Sequence, residues 1–211
     1  MRDRDWLLKT RAWFGWHPLP PRTDSPEMNR FPPWLASLAA VGLGALGMGA
    51  TTPTEEVYAD FEGTDFGGWV ARGDAFGKAP ARGALSGQGS LGGYRGQGLA
   101  CSFHGGDAAT GTLTSPAFKV RRPFVSFLIG GGSHAGRTCV QIRVGDKVVR
   151  SLTGRDDEFL VTATFDLGPF VGQMAMIEIV DAATGAWGHI NADHFVFSDH
   201  PATPPAGELR E

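Results

Sequence analysis

The sequence predicts an all-β protein, a jelly-roll-like antiparallel β-sandwich that follows an N-terminal leader. From Val57 onward, short apolar or alternating segments recur about every 8–12 residues with turn residues between them, as in sandwiches and barrels. Glycine accounts for 31 of the 211 residues, about twice its average share, which favours turns over long helices. No segment shows a sustained helical period of apolar residues with capping residues at its ends.

The strand candidates follow one another along the chain. They are VYADFE, GWVARG, GQGLACSF, GTLTSPAFKV, PFVSFLIGG, RTCVQIRVG, KVVRSLTG, FLVTATFDL, MAMIEIVDA and HINADHFVFSD. Gly145 and Asp146 lie between two of them and predict a tight hairpin. The segment LVTATFDLG alternates cleanly, with Leu160 on one face and Phe165 and Leu167 on the other. The second face suits the core.

Residues 1–55 are predicted to be a leader. Its apolar run, residues 34–50, has no charged residue and is rich in small side chains. The run is shorter than the ~20 residues of a transmembrane helix and suits a signal peptide that is cleaved near its end. Because the preceding segment is long for a signal peptide, we expect the true start at Met28, with Arg30 before the apolar run. The alternative is a cytoplasmic tail with an uncleaved membrane anchor.

The sandwich is predicted over residues 56–200, and the Pro-rich, polar residues 201–211 are predicted to be a flexible tail. Export would make the protein secreted, periplasmic or associated with the cell envelope, where Cys101 and Cys139 could form a disulfide. The alternative is that both are small buried apolar side chains. The glycine-rich segment 74–96 has little strand character and is predicted to be a long loop at a site.

Three glycine-rich turns, FHGGD, GGGSHAG and GAWGH, carry the polar and aromatic side chains of a candidate site. A sugar offers hydroxyl groups and C–H faces, which are bound by carboxylates, His or Arg donors and an aromatic platform. The net charge of −3, without a basic block, argues against nucleic acid as a partner. The candidate ligand-binding residues are His104, Asp107, His134, Arg137, Trp187, His189 and Asp193.

Each candidate also has a structural alternative. Asp107 could cap its own turn by accepting backbone N–H groups, and His104 could be a buried residue that holds a neighbouring loop. Trp187 could be a packing residue, and His189 could pin the start of its strand to an adjacent turn. The role of Asp193 depends on which face of its strand is inside.

A structural calcium ion is a further hypothesis. Asp60 and Glu62 on the first predicted strand could face Asp199 at the end of the last one and provide oxygen ligands. The alternative is that all three are exposed surface acids. Zinc is not favoured, because the closely spaced ligand pairs that mark zinc sites are missing.

No catalytic residue is assigned. Ser115 in GTLTSP lacks a G-x-S-x-G elbow, and GGGSHAG lacks the lysine and the helix of a phosphate-binding loop. Asp107 and Asp193 could supply the two carboxylates of a glycosidase, but nothing in the sequence requires them to face each other.

Four segments, DFEGTDFGGWVARGDAF, GLACSFHGGDAATGTLTSPAFKV, FLIGGGSHAGRTCVQIRVGDKVVRSLTG and IEIVDAATGAWGHINADHFVFSD, carry a family resemblance. They resemble the fructan-binding carbohydrate-binding module that is attached to levanases and related fructan-cleaving glycoside hydrolases. The resemblance runs from about Ala59 to Asp199. It implies a jelly-roll-like sandwich that binds a sugar terminus, without the separate catalytic propeller of those enzymes.

The sequence therefore predicts an exported, non-catalytic, lectin-like module whose partner is a carbohydrate, a fructoside or another sugar terminus. One alternative is a structural or adhesion sandwich of an envelope assembly that has no sugar site. Another is a small glycoside hydrolase. Convergence of the three turns on one surface would favour the sugar site, and separate turns would favour the adhesion module.

Overall fold

The computed structural model describes residues 55–203. The strands of this range are β1 (Glu55–Ala59), β2 (Val70–Gly73), β3 (Ala100–Cys101), β4 (Gly111–Thr114), β5 (Phe118–Lys119), β6 (Phe124–Gly131), β7 (Thr138–Val144), β8 (Lys147–Thr153), β9 (Asp157–Asp166), β10 (Met174–Asp181) and β11 (Ile190–Ser198). Two short 3-10 segments, Phe103–Ala108 and Gly168–Phe170, accompany them. Within residues 55–203, no helix is long and apolar enough to span a membrane.

Two antiparallel sheets make up the fold. The first sheet has the strand order β1-β11-β6-β9, with β3 also paired to β11. The second sheet has the order β2-β4-β10-β7-β8, with β5 also paired to β10. The predicted all-β antiparallel sandwich is confirmed. The predicted signal or anchor segment, including the run 34–50, and residues 204–211 of the predicted tail lie outside the described residues.

The main core lies between the two sheets, because alternate residues of the facing strands are apolar. Strand β10 contributes Ala175, Ile177 and Ile179, which are fully or almost fully buried. From the first sheet, the ring of Phe195 stacks on that of Phe127 at a centroid distance of 5.2 Å. Apolar burial of this kind contributes about 25 cal/mol per Å², and it holds the strand ends rigidly in place.

A second, smaller apolar cluster lies on the outer face of the first sheet. Strand β9 turns Phe165 and Leu167 into the main core, as its alternation predicts, whereas Leu160 faces outward and is still completely buried. Residues 74–99, the covering loop, shield it, and Leu99 of this loop belongs to the same cluster. The predicted long loop is therefore packed against the sheet.

The sequence predicts one continuous strand over GTLTSPAFKV, but the segment forms two separate strands. It is interrupted after β4 at Ser115, whose hydroxyl oxygen accepts a hydrogen bond from the backbone N–H of Ile177 at 2.9 Å. Pro116 follows, and a proline has no N–H to donate to a sheet. The chain resumes pairing with β10 only at β5, beginning with Phe118.

Both cysteines of the sandwich are free thiols and are buried. Cys101 lies on β3 of the first sheet and Cys139 on β7 of the second. Burial raises the pKa of the Cys101 thiol to about 12, so this thiol is neutral at physiological pH. The structure therefore agrees with the alternative of two small buried side chains.

Candidate functional site

Antiparallel pairing brings two of the three glycine-rich turns to the same end of the sandwich. Thr138 at the start of β7 is paired with Asp181 at the end of β10. Gly131 at the end of β6 is paired with Ile190 at the start of β11. The turn over 132–137 and the turn over 182–189 therefore leave the two sheets side by side.

Backbone hydrogen bonds join these turns to each other and to the third one. The N–H of Gly132 donates to the carbonyl of His189 at 2.8 Å, and the N–H of Ala182 donates to the carbonyl of Arg137 at 2.6 Å. The N–H of Gly185 donates to the carbonyl of Asp107 at 3.0 Å. The three turns, residues 102–109, 132–137 and 182–189, thus form one unit, here named the turn cluster.

His189 is the buried centre of the turn cluster, with a side chain that is 3% exposed. Its Nδ1 atom donates to Oδ1 of Asp107 at 2.7 Å. Its Nε2 atom lies 3.2 Å from Oε1 of Glu158, but without the alignment of a hydrogen bond, so this contact is a charge contact. Burial alone would lower the pKa of His189, yet the carboxylates of Glu158 and Asp107 outweigh it and raise the pKa above its usual value.

Glu158 is held by the covering loop and by β11. Gln88 of the loop donates from Nε2 to Oε2 of Glu158 at 2.8 Å, and Asn191 donates from Nδ2 to the same oxygen at 2.9 Å. Burial raises the pKa of Glu158, but the contacts with His189, Gln88 and Asn191 prevail, so the pKa is lowered overall. The Glu158 carboxylate therefore contacts the ring nitrogen of His189 that Asp107 does not, and it favours the protonated form of the ring.

Trp187 is the aromatic side chain of the turn cluster. It is half-buried, and its ring stacks on that of His189 at a centroid distance of 5.7 Å and an interplanar angle of 28°. Its backbone has a φ of 60°, which is an outlier for a bulky residue. Gly132 lies against the Trp187 carbonyl, where a Cβ atom would collide with it. Strained backbone of this kind persists where the surroundings enforce it, and it concentrates at ligand sites.

His134 and Arg137 form the outer side of the turn cluster. The Nε2 atom of His134 donates to the carbonyl of Ala186, the residue before Trp187, at 3.1 Å. Arg137 is exposed. Among the residues that the structure describes, its guanidinium makes no hydrogen bond or ion pair. It can therefore present its donors to a ligand.

His104 lies on the 3-10 segment that also carries Asp107, but it packs away from His189. Its ring rests on Gly77 of the covering loop, where a Cβ atom would come within 2.7 Å of the ring. Burial lowers the pKa of His104, although the residue as a whole is exposed. It lies at the edge of the turn cluster that adjoins the covering loop.

Asp181 is a buried acid that lies behind the turn cluster. It is 1% exposed, and neither of its carboxylate oxygens has a hydrogen-bond partner of good geometry. The Ser102 hydroxyl and the backbone of Ala183 are its polar neighbours, and the Ser102 hydroxyl oxygen accepts from the N–H of Ile190 at 2.8 Å. Burial raises the pKa of Asp181 to about 6. The residue is partly protonated near neutral pH as a result.

The expectation that Asp193 contacts a ligand is corrected by the structure. Asp193 is 0% exposed and lies beneath the covering loop. Its Oδ2 atom accepts from the N–H of Arg95 at 2.8 Å, and its Oδ1 atom accepts from the N–H of His194 at 2.7 Å. Both oxygens thus hold backbone, and burial raises the pKa of this carboxyl to about 7.

The expected calcium site is also corrected. Strand β1 pairs with β11 so that Glu55 faces Ser198 and Ala59 faces Phe195. Asp60 and Asp199 therefore lie at opposite ends of β1, about 15 Å apart for a strand of this length. Asp199 binds Arg122 at 2.6 Å instead. Residues 55–203 contain no group of three or more His, Cys, Asp or Glu residues that could hold a metal ion.

Glu62, the third residue of that expectation, also has another role. Its Oε1 atom accepts hydrogen bonds from the backbone N–H groups of Gln97 and Gly98, both at 2.8 Å. Arg82 lies 3.6 Å from its other oxygen. Glu62 therefore fixes the C-terminal end of the covering loop and contacts Arg82 within it.

Several residues of the site were not identified from the sequence, namely Ser102, Gln88, Glu158, Asp181 and Asn191. Asp181 is the last residue of β10 and Asn191 is the second residue of β11, so both lie at the strand ends next to the turn cluster. A polar residue at such an end of an apolar strand was a usable signal in the sequence. Glu158 begins β9 and Gln88 lies in the covering loop. Gln88 and Glu158 are 70 positions apart in the chain and come into contact only when the covering loop closes on the first sheet. The local sequence does not reveal this contact.

A relative of this chain is known among curated proteins. The protein named "Putative glycosyl hydrolase ecdE" of Aspergillus rugulosus is 41% identical over 150 residues. The match covers 70% of this chain and 21% of the relative, so the chain spans about a fifth of that protein's length. No protein-family model matches the chain.

Solved structures similar to this chain include adhesin and carbohydrate-binding domains with sandwich folds. The K3 adhesin domain of Lys-gingipain from Porphyromonas gingivalis has a TM-score of 0.45 and 16% identity, covering 68% of this chain and 99% of that domain. A family 29 carbohydrate-binding module has a TM-score of 0.40 and 16% identity, covering 69% and 92%. A family 35 module has a TM-score of 0.38 and 17% identity, covering 70% and 98%. At these values the similarity carries no argument about function.

Proposed function

We propose that this sandwich is a non-catalytic carbohydrate-binding module and that the turn cluster is its binding site. The observation that carries the proposal is Trp187, an aromatic residue held with a φ of 60° and stacked on His189, within the same turn cluster as Asp107, His134 and Arg137. An aromatic face with carboxylate, imidazole and guanidinium groups around it is the inventory that a sugar ring requires.

The residues of the turn cluster divide into ligand contacts and supports. Asp107 uses one oxygen for His189 and is 34% exposed, so its remaining lone pairs are available to sugar hydroxyls. Arg137 supplies donors, and the half-buried ring of Trp187 supplies an apolar face. His189 is too buried for ligand contact and acts as a positioning residue for Asp107 and Trp187.

The ligand we propose within this class is a fructoside terminus, and the protein is proposed to be exported. The first part is supported by the motif resemblance to fructan-binding modules. The identity of 41% to a protein that is named as a glycosyl hydrolase supports a role in glycan chemistry. Export is supported by the apolar, uncharged run 34–50.

Binding without cleavage is favoured by the position of the carboxylates. Glycosidases need two carboxyl groups that face each other across the substrate. Asp193 is enclosed beneath the covering loop and holds two backbone N–H groups, so it is not available as the partner of Asp107. Glu158, the acid on the other side of the imidazole, is occupied in supporting His189.

The test is binding of the purified protein to a glycan array and, by titration calorimetry, to levan, inulin, sucrose and fructose. We expect a Kd in the range of about 1 μM to 1 mM, with no release of free sugar. Trp187→Ala and Asp107→Asn should each weaken binding about tenfold or more, because they remove the platform and a charged acceptor. Arg72→Ala, an exposed arginine on the second sheet, is the matched control.

A protein that is folded by circular dichroism yet binds no glycan would overturn the proposal. That outcome would favour the structural or adhesion module. Release of sugar that disappears in Asp107→Asn would instead favour the hydrolase.

A further inference from the structure

A second polar groove lies on the outer face of the first sheet, beside the covering loop. It is open to solvent and has a volume of about 100 Å³. A groove of this size cannot enclose a sugar ring, but it can receive one face of it. Its polar and apolar lining includes Glu55, Arg95, Ser126, Leu128, His194 and Val196.

A β-bulge shapes the groove. The register between β11 and β6 shifts between Asp193 and Val196, and His194 has a φ of 51° at this point. The buried carboxylate of Asp193 fixes the bulge by accepting the N–H of His194 at 2.7 Å. Bulges of this type re-aim side chains next to functional sites, and here the bulge turns His194 toward the groove.

Arg95 is fixed in the groove by two separate contacts. Its backbone N–H donates to Oδ2 of Asp193 at 2.8 Å, and its Nη1 atom donates to Nε2 of His194 at 2.8 Å. The other guanidinium donors remain on the exposed side. Arginine presents five N–H donors in a planar fork, so a fixed Arg95 is a ready donor for neighbouring hydroxyl groups.

The remaining lining complements a sugar ring. Glu55 is exposed at one rim and offers a charged acceptor. The hydroxyl groups of Ser126 and Thr164 are hydrogen-bonded to each other at 2.9 Å and lie along the sheet face. Val196, which is half-buried, provides an apolar surface for C–H groups.

We propose that this groove is a second glycan subsite, in which Arg95 donates to the hydroxyl groups of one glycosyl unit, Glu55 accepts from them and Val196 contacts its C–H face. The occupant is a unit of the same glycan that the turn cluster binds, so this inference rests on the proposed function. Two separated subsites on one module raise the avidity for a polymeric ligand.

The test is an NMR titration of the ¹⁵N-labelled protein with fructose and sucrose, ligands of one and two sugar units that report on each subsite separately. We expect two groups of shifting amides, one around Trp187 and one around His194 and Val196. Arg95→Ala keeps the backbone N–H that binds Asp193, so it should fold normally. Arg95→Ala should weaken the binding that shifts the amides around His194 and Val196 about tenfold, and it should leave the shifts around Trp187 unchanged. Trp187→Ala should weaken the binding that shifts the amides around Trp187 and leave the groove shifts unchanged.

Glu55→Gln provides a second variant at the other rim, and Arg72→Ala serves as the control for loss of a surface arginine. Shifts around Trp187 alone, or groove shifts that persist unchanged in Arg95→Ala and Glu55→Gln, would overturn the second subsite and leave the proposed function intact. A folded protein with no shifts in either group would overturn both proposals.

Discussion

His189 and Asp107 are 82 positions apart in the chain, and Nδ1 of the histidine donates to Oδ1 of the acid at 2.7 Å. This bond ties the 3-10 segment to the start of β11. Because Glu158 contacts the other ring nitrogen, the same imidazole also contacts the start of β9. The ring of Trp187 stacks on that imidazole, so the geometry of the site depends on His189.

Replacement of His189 by alanine should destabilise the fold and disorder the turn cluster. It would leave Glu158 buried without its cation, and breaking one side of a buried ion pair costs about 3 kcal/mol or more. Urea denaturation should show this loss in the free energy of unfolding. His104→Ala, at an exposed histidine of the same region, is the control and should cost less than about 1 kcal/mol.

The same pair predicts a pH profile. The folded pKa of His189 is raised above 6.5, so its contribution is complete below pH 6.5 and is lost as the pH rises through the folded pKa. The folded pKa of Glu158 is lowered below 4.5, so its contribution is complete above pH 4.5 and is lost as the pH falls through the folded pKa. The difference in the free energy of unfolding between wild type and His189→Ala should therefore be greatest between pH 4.5 and pH 6.5. A difference that does not vary with pH would contradict the ion pair.

Asp181→Asn should make the protein more stable at neutral pH. The carboxyl has a folded pKa of about 6 against 3.8 when unperturbed, so the folded state binds more protons between these values. Stability from this group is therefore present below about pH 4 and is lost as the pH rises through about 6. Because the amide carries no charge, the variant should be about 2 kcal/mol more stable at pH 7.5.

Thermal denaturation of wild type and Asp181→Asn across this pH range checks the prediction. The two curves should converge at low pH and separate as the pH rises. Asp65→Asn, at an exposed acid, is the control. A variant that is less stable than wild type at pH 7.5 would show that the charged form of Asp181 has a partner that stabilises it.

The three turns could each be predicted from the sequence, because glycines and polar residues between apolar strands mark turns locally. Neither the convergence of the turns nor the supports of the cluster could be predicted in this way. Glu158 meets Gln88 only after the covering loop closes on the first sheet, and loop closure depends on Leu99 and Leu160 packing outside the main core. The alternation of β9 revealed that Leu160 faces outward, but not that it would be buried there.

The acids show the limit of local patterns most clearly. Asp60 on the first predicted strand is expected to face Asp199 at the end of the last one, and β1 and β11 do pair. The antiparallel register then carries the two carboxylates to opposite ends of β1. Asp193 has the spacing of an outward-facing strand residue, and it does face outward, but the covering loop encloses it.

Asp193→Ala should release the covering loop. The substitution leaves the N–H groups of Arg95 and His194 without acceptors, and each buried unsatisfied donor costs about 1–3 kcal/mol. Hydrogen exchange should therefore accelerate across residues 74–99 and at the bulge of β11. Asp65→Ala is the matched control, because Asp65 also accepts a backbone N–H, that of Gly67 at 2.9 Å, but in an exposed turn. Equal exchange in the two variants would contradict a role for Asp193 in holding the loop.

The strained backbone of Trp187 predicts that the glycine and alanine variants differ in stability, although both lose glycan binding. At a φ of 60°, glycine is relaxed, whereas residues with a Cβ atom bear a penalty of about 1 kcal/mol. Trp187→Gly should therefore be about 1 kcal/mol more stable than Trp187→Ala, and both should lose glycan binding because both lack the platform. Denaturation and calorimetry of the two variants side by side test this. If the alanine variant is the more stable one, the residue is not strained. If either variant binds glycans as well as wild type, Trp187 is a packing residue and the ligand contacts lie elsewhere.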